Sequence, residues 1–210
     1  MTDILNSLNW RYATKKYDTA KKISEADLNT LKEATKLSVS SMGLQPYRIL
    51  VIENPEIREK LKAAAYGQTP ITDASALFVF AIEIGLGDKQ INAYMNNISK
   101  VRDVPVDALA GFKDKLQGFV DNLSETESEN WAKKQTYIAL STLINTASFL
   151  KIDATPMEGF NAAQFNEILG LSQLGLKTSV IATVGYRHTE DATQHNIKVR
   201  KSNSDLFINL

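Results

Sequence analysis

The segment from Ala76 to Ile84 (ALFVFAIEI) is apolar at every position but Glu83. A run this short, bounded by turn residues and without alternation, predicts a strand buried within a sheet. Tyr47 to Glu53 (YRILVIE) is a second such run, of the kind covered on both faces. The rest of the chain must supply the covering helices. Ser24 begins Ser-Glu-Ala-Asp, an N-cap with acid in the first turn, and Leu28, Leu31, Ala34 and Leu37 follow at helical spacing, so a helix is expected from Ser24 to about Ser38. Asn54 and Pro55 cap and open another, to about Tyr66. Gly85 to Asp88 ends the second strand, and the long polar stretch beyond predicts two helices broken near Pro105. A central helix is expected from about Ser128 to Leu150, with Trp131, Tyr137, Ile138, Leu143, Ile144 and Ala147 on its buried side. Asp153 to Pro156, a short helix near Asn161 to Leu169 and a strand from Thr178 to Tyr186 complete the core. The alternation points to an α/β or α+β sandwich.

With 210 residues, 43% of them apolar, the chain can bury roughly 70% of its unfolded surface in one core. No repeat or linker divides it, so one domain over residues 1–210 is expected. The tail after Asn196 differs: Asp205 to Leu210 (DLFINL) alternates like a strand at the end of a charged segment, an arm able to reach another subunit.

Several function classes drop out. The 24 basic and 24 acidic residues leave no net field for a polyanion, which argues against nucleic acid. Without cysteine there is no disulfide, thiolate metal site or cysteine nucleophile. The longest apolar run is too short for a bilayer, and Asn6, Asn9, Arg11 and Lys15 interrupt the stretch a signal peptide would need, so a cytoplasmic protein is expected. Gly85-Leu-Gly-Asp has Gln90 where a dinucleotide fingerprint wants Gly or Ala, and reads as a turn. His188 and His195, with Glu190 and Asp191 between them, match no metal motif and read as a polar loop. No metal site is expected, and G-x-S-x-G, the P-loop and H-E-x-x-H are absent.

Four segments remain. Arg11-Tyr-Ala-Thr-Lys15 is a basic cluster that alone reads as a solvated helix end. Ser40 to Tyr47 (SSMGLQPY) offers two hydroxyls and the amides around Gly43, a cradle for an anion or simply a helix end. Pro156-Met-Glu-Gly-Phe160 places Gly159 at a close approach or in a turn. Lys198-Val-Arg200 reads alone as a solvated tail. Basic clusters so far apart in sequence, if they converge, make a site for a small anion such as a phosphate.

In this order the segments resemble the FMN-dependent nitroreductase family, in particular its oxygen-insensitive NAD(P)H nitroreductase and dihydropteridine reductase branch. The likeness includes Asp73-Ala-Ser75 before the second strand, Trp131-x-x-x-Gln135-x-Tyr137 in the central helix, and Gly185. It implies an α+β sandwich, a central, mostly antiparallel sheet flanked by helices, and an intertwined homodimer that exchanges C-terminal arms and binds two FMN at its interface. By the resemblance, Arg11, Lys198 and Arg200 grip the FMN phosphate beside Tyr12 and Ala13, and guanidinium forks suit a group carrying nearly two negative charges. Ser40, Ser41 and Gly43 come from the other subunit. Glu158 and Gly159 turn backbone amides to the flavin N5 and O4 edge, Pro156 and Met157 pack on the ring, and Gln68 hydrogen-bonds the pyrimidine edge. Lys15 faces N1 and O2, where a fixed cation stabilises the reduced anion more than the oxidised ring. No side chain is assigned as a catalytic acid or base, because the hydride chemistry belongs to the cofactor. The implied reaction is ping-pong: NADH or NADPH delivers a hydride, leaves, and a nitroaromatic, quinone or related small-molecule acceptor takes its place in a cleft near Phe119.

Some positions depart from the family pattern. The loop Gly67-Gln-Thr-Pro70 is shorter, with Pro70 unable to supply a second cation. Met42 and Leu44 replace polar residues, and Tyr47 stands where Trp is common. These changes bear on redox potential and substrate range. Two other readings stay open at this point: another flavoenzyme chemistry on the same fold, such as a flavin reductase or dehalogenase, and a cofactor-free binding protein.

Overall fold

The computed structural model describes residues 3–210. The chain opens with helix α1 (Asp3–Trp10), which the sequence reading does not anticipate. Helix α2 (Glu25–Lys36) starts at the expected cap: Ser24 Oγ accepts from Asp27 N–H at 3.0 Å. Strand β1 (Tyr47–Ile52) runs into α3 (Pro55–Ala64), whose cap Asn54 accepts from Ile57 N–H at 3.0 Å. A turn of helix, α4 (Pro70–Asp73), leads to β2 (Ala76–Glu83). Helices α5 (Asp88–Arg102) and α6 (Ala110–Asp121) flank the expected break at Pro105. The long helix α7 (Glu125–Phe149) precedes β3 (Asp153–Met157), α8 (Ala162–Ile168) and β4 (Leu176–Gly185).

The four strands form one sheet in the order β1-β2-β4-β3, and every neighbouring pair is antiparallel. The central strands β2 and β4 are buried along most of their length because helices cover both of their faces. Strand β1 lies at the edge, with Arg48 exposed and Ile49 to Val51 only half-buried, so Tyr47 to Glu53 is not the strand covered on both faces that its apolar run predicts. On one face Phe78, Phe80, Val180 and Ala182 pack with Leu28 and Leu31 of α2 and with Leu140 and Leu143 of α7. On the other, Leu77, Val79 and Ile181 meet Leu61, Ile71 and Phe165. Each fully buried side chain of this size contributes roughly 1.5–3 kcal/mol. A third cluster joins α5 and α6 through Ile91, Met95, Leu116 and Val120, with Trp131 at its edge.

Three further expectations are corrected. Helix α7 begins three residues earlier than expected, because Ser124 and Glu127 form a reciprocal capping box. On that helix Tyr137 and Ile138 are exposed at 41% and 38%, outside the stripe that Ala139, Leu143 and Ala147 bury. The tail is no strand: Ser202 caps a short helix, α9 (Asn203–Leu206), and Phe207 to Leu210 joins no sheet among the described residues. Ser202 Oγ accepts from Asp205 N–H at 3.2 Å, a local bond that outcompetes the alternating pattern.

Candidate active site

The residues from Arg11 to Tyr17 run along the sheet edge as a nearly irregular segment. Two buried carboxylates fix it there. Asp153, at the start of β3, accepts from Thr14 Oγ1 at 3.2 Å and from Arg187, whose Nη2 lies at 2.6 Å and main-chain N at 2.8 Å. The Arg187 guanidinium is sandwiched between the rings of Trp10 (4.1 Å) and Tyr12 (4.5 Å). Asp191 receives the main-chain N–H of Lys15 at 2.7 Å and of Lys16 at 3.1 Å, and the Tyr12 hydroxyl at 3.0 Å, all on Oδ2. Burial opposes its charge, but bonds from Thr193, Lys16 and Lys15 outweigh that and hold the carboxyl down at about 2. Desolvation and the bond to Asp191 raise the Tyr12 hydroxyl to about 12.

Tyr17 ends the segment by inserting its ring against Gly185. A Cβ on Gly185 would sit 2.8 Å from Tyr17 Cδ1, so only glycine fits there. The Tyr17 hydroxyl donates to Thr155 Oγ1 at 3.1 Å and to the Thr183 carbonyl at 3.2 Å.

This anchoring brings the two basic clusters together. Lys198 Nζ donates to the Leu8 carbonyl at 2.9 Å and to the Arg11 carbonyl. Burial, then the positive charge of Arg200, lowers the pKa of Arg11; burial, then Arg11 and Arg200, lowers that of Lys198. Arg11 Nε is buried without a hydrogen-bond partner among the described residues. Three mutually repelling cations with an orphaned buried donor suit a phosphate dianion, which would satisfy Nε and relieve the repulsion. Lys15 Nζ makes no ion pair or hydrogen bond among the described residues, while its backbone is held by Asp191.

Arg11 also lines a cleft of about 520 Å³ between the exposed side of α7 and the end of β3. Pro156, Met157 and Glu158 form one wall; Tyr137, Ser141 and Ile144 form part of the other. The volume lies within the roughly 300–1,000 Å³ of small-molecule and cofactor sites. The Tyr137 hydroxyl donates to Glu158 Oε1 at 2.5 Å, and desolvation followed by that carboxylate raises it to about 12. Neither the Glu158 nor the Gly159 N–H donates to a loop or side-chain acceptor among the described residues.

Other expected site residues lie elsewhere or are engaged. Ser40, Ser41 and Gly43 do not line this cleft. Ser41 N–H donates to the buried Gln135 Oε1 at 2.8 Å, and Gly43, at φ +72°, passes so close to the Tyr94 hydroxyl that a Cβ would lie 2.3 Å from it. Gln68 Nε2 donates to the Gly159 carbonyl at 2.6 Å and the Ala65 carbonyl at 3.0 Å, so within the chain its amide steadies the Gly159 loop. Phe119 packs at a tilt against Trp131, with ring centroids 5.3 Å apart, in the α5–α6 cluster and outside the cleft lining, because α6 turns it toward that core. Arg58, which no motif singles out, is buried beneath the short loop. It donates to the carbonyls of Ile71 (2.7 Å), Ala74 (2.6 Å) and Ser75 (3.1 Å), fixing the entry to β2.

The sequence model of the Nitroreductase family matches residues 8–186. The chain belongs to the nitroreductase family. A candidate NAD(P)H nitroreductase of Staphylococcus saprophyticus is 36% identical over 211 residues, covering 97% of this chain and 94% of its own. The structure of a candidate nitroreductase from Bacillus subtilis superposes with a TM-score of 0.88 at 20% identity, over 99% of both chains. A candidate nitroreductase from Exiguobacterium sibiricum, solved in complex with FMN, superposes with a TM-score of 0.86 at 20% identity, over 100% of this chain and 98% of its own. The nitroreductase fold thus extends through the tail that carries Lys198 and Arg200.

Proposed function

We propose that the protein is an FMN-dependent oxidoreductase that passes a hydride from NADH or NADPH to nitroaromatic, quinone or related acceptors, the two substrates using one cleft in turn. FMN, when bound, supplies the hydride-accepting and hydride-donating ring. The chain's residues bind and bias it. Arg11, Lys198 and Arg200 hold the phosphate beside Tyr12 and Ala13, and Pro156 and Met157 form the wall against which the ring lies. The uncommitted amides of Glu158 and Gly159 serve as donors to its polar edge, with Gln68 bracing that loop. The Lys15 ammonium offsets the negative charge of the reduced cofactor.

One observation carries this reading: cations from the two ends of the chain come together at Arg11, which lines a cofactor-sized cleft and whose buried Nε has no hydrogen-bond partner among the described residues. The same reading makes the active unit a homodimer in the cytoplasm, with the tail reaching over a second copy whose Ser40, Ser41 and Gly43 complete the site. Its support is the exposure of Ile197 at 92%, Val199 at 83% and Ile208 at 85%, alongside exposed Leu37, Ile138 and Phe149. An absorption spectrum of the purified protein, followed by anaerobic titration with each nicotinamide, tests the chemistry. The expected result is a flavin spectrum bleached by one equivalent of NADH or NADPH per site and restored by a nitroaromatic; a colourless protein that takes up no FMN contradicts it. A monomeric mass in solution with FMN bound contradicts the shared site.

A further inference from the structure

Asp191 lies in a loop that matches no motif, yet it is the point at which the two halves of the basic site are joined. Seven residues upstream of Lys198, it is only 3% exposed and saturated with donors. One oxygen takes the N–H groups of Lys15 and Lys16 and the Tyr12 hydroxyl; the other takes Thr193 N–H at 3.0 Å and Thr193 Oγ1 at 2.5 Å. Consecutive amides converging on one carboxylate oxygen fix the two peptides on either side of the Lys15 Cα. The Lys15 side chain leaves from the Cα between them and has no ion pair or hydrogen bond of its own among the described residues, so the backbone sets the point and direction from which it starts.

We propose that Asp191 is a positioning residue: it holds the Lys15 ammonium against the flavin and thereby sets the flavin's reduction potential. The inference rests on the proposed FMN site and adds to it a residue that touches no cofactor. Its sign separates it from simple electrostatics. Deleting a nearby negative charge would by itself raise the potential, because the reduced, anionic flavin would be repelled less. Releasing Lys15 lowers the potential, because the cation that stabilises the reduced form is lost.

The test is the midpoint potential of the holoenzyme, measured by anaerobic dye-coupled titration at saturating FMN for wild type, Asp191→Asn, Lys15→Ala and the double variant, with thermal unfolding alongside. The expected result is a lowered potential in both single variants and no further lowering in the double variant, since Asp191 acts through Lys15. A wild-type or raised potential in Asp191→Asn overturns the proposal whatever its melting temperature, as does full additivity with Lys15→Ala. Should Asp191→Asn not fold, Thr193→Val, which removes the hydroxyl bond to the other carboxylate oxygen while keeping the Thr193 N–H bond and the charge, carries the same test by loosening the carboxylate: a lowered potential supports the role and an unchanged one overturns it. A wild-type protein that holds no flavin overturns the FMN reading itself, and this inference with it.

Discussion

Strand β2 and the segment from Arg11 to Tyr17 are held in place by opposite means. Every residue of β2 except Glu83 is buried, with a strand on each side and helices on each face, so its position is the sum of many interchangeable apolar contacts. The segment beside it makes one isolated bridge, Tyr17 to Arg187, and depends on Asp153 and Asp191. The sheet is redundant and the site edge is not. A substitution in the core should therefore lower stability and leave cofactor affinity intact in the folded molecules, whereas one at the edge should affect both.

The largest stability effect is expected at Phe80→Ala, which empties a fully buried position between α2 and α7. Chemical denaturation should show a loss of about 3–5 kcal/mol, with the FMN affinity of the folded protein within twofold of wild type; a marked fall in affinity would break the separation of core from edge. Asp153→Asn should cost less, about 2–3 kcal/mol, because it leaves the Arg187 guanidinium without its anion while some hydrogen bonds persist. It should also weaken FMN binding, since Asp153 holds Thr14 and Arg187 beside the segment proposed to bind the phosphate.

The contrast between core and edge is also a contrast in what the sequence revealed. Apolar runs and caps are local signals, so both central strands and the caps at Ser24 and Asn54 were legible. The Ser124–Glu127 capping box is equally local, and it starts α7 earlier than the apolar pattern alone predicts. Helix α1 is short, and Asn6, Ser7 and Asn9 interleave with Ile4, Leu5 and Leu8, so its sequence carries only a weak helical pattern. The basic clusters were legible as residue types, and their convergence rested on a resemblance. The residues that bring them together were not: Asp191 meets Lys15 across 176 positions and Asp153 meets Thr14 across 139, and no spacing rule connects such pairs. Tyr137 and Ile138 read as buried because the apolar half of α7 carries no periodic signal of which side this chain covers, and the structure leaves both exposed.

Acid should affect the edge in a way the core does not share. An unfolded aspartate titrates near about 3.9, and in the fold Asp191 is held at about 2. Its pKa is depressed by folding, so its stabilisation is fully present above about pH 4 and is lost as pH falls from there toward 2. Urea midpoints at pH 6, 4 and 3 should show the difference between wild type and Asp191→Asn shrinking below pH 4; a constant difference would contradict the anchoring assigned to its charge. The smallest effect is expected at the exposed pair Lys36–Glu33, where Lys36→Ala should change stability by less than about 0.5 kcal/mol in the same assay.

The central claim is that distant cations converge on the phosphate of the cofactor, and calorimetric titration of the flavin-free protein with FMN and with riboflavin, which lacks that phosphate, tests it most directly. Wild type should bind FMN on the order of 100-fold more tightly than riboflavin, and Arg11→Ala should remove most of that preference while leaving riboflavin binding unchanged. Equal affinities in the wild type, or an Arg11→Ala protein that keeps its preference for FMN, would contradict the account.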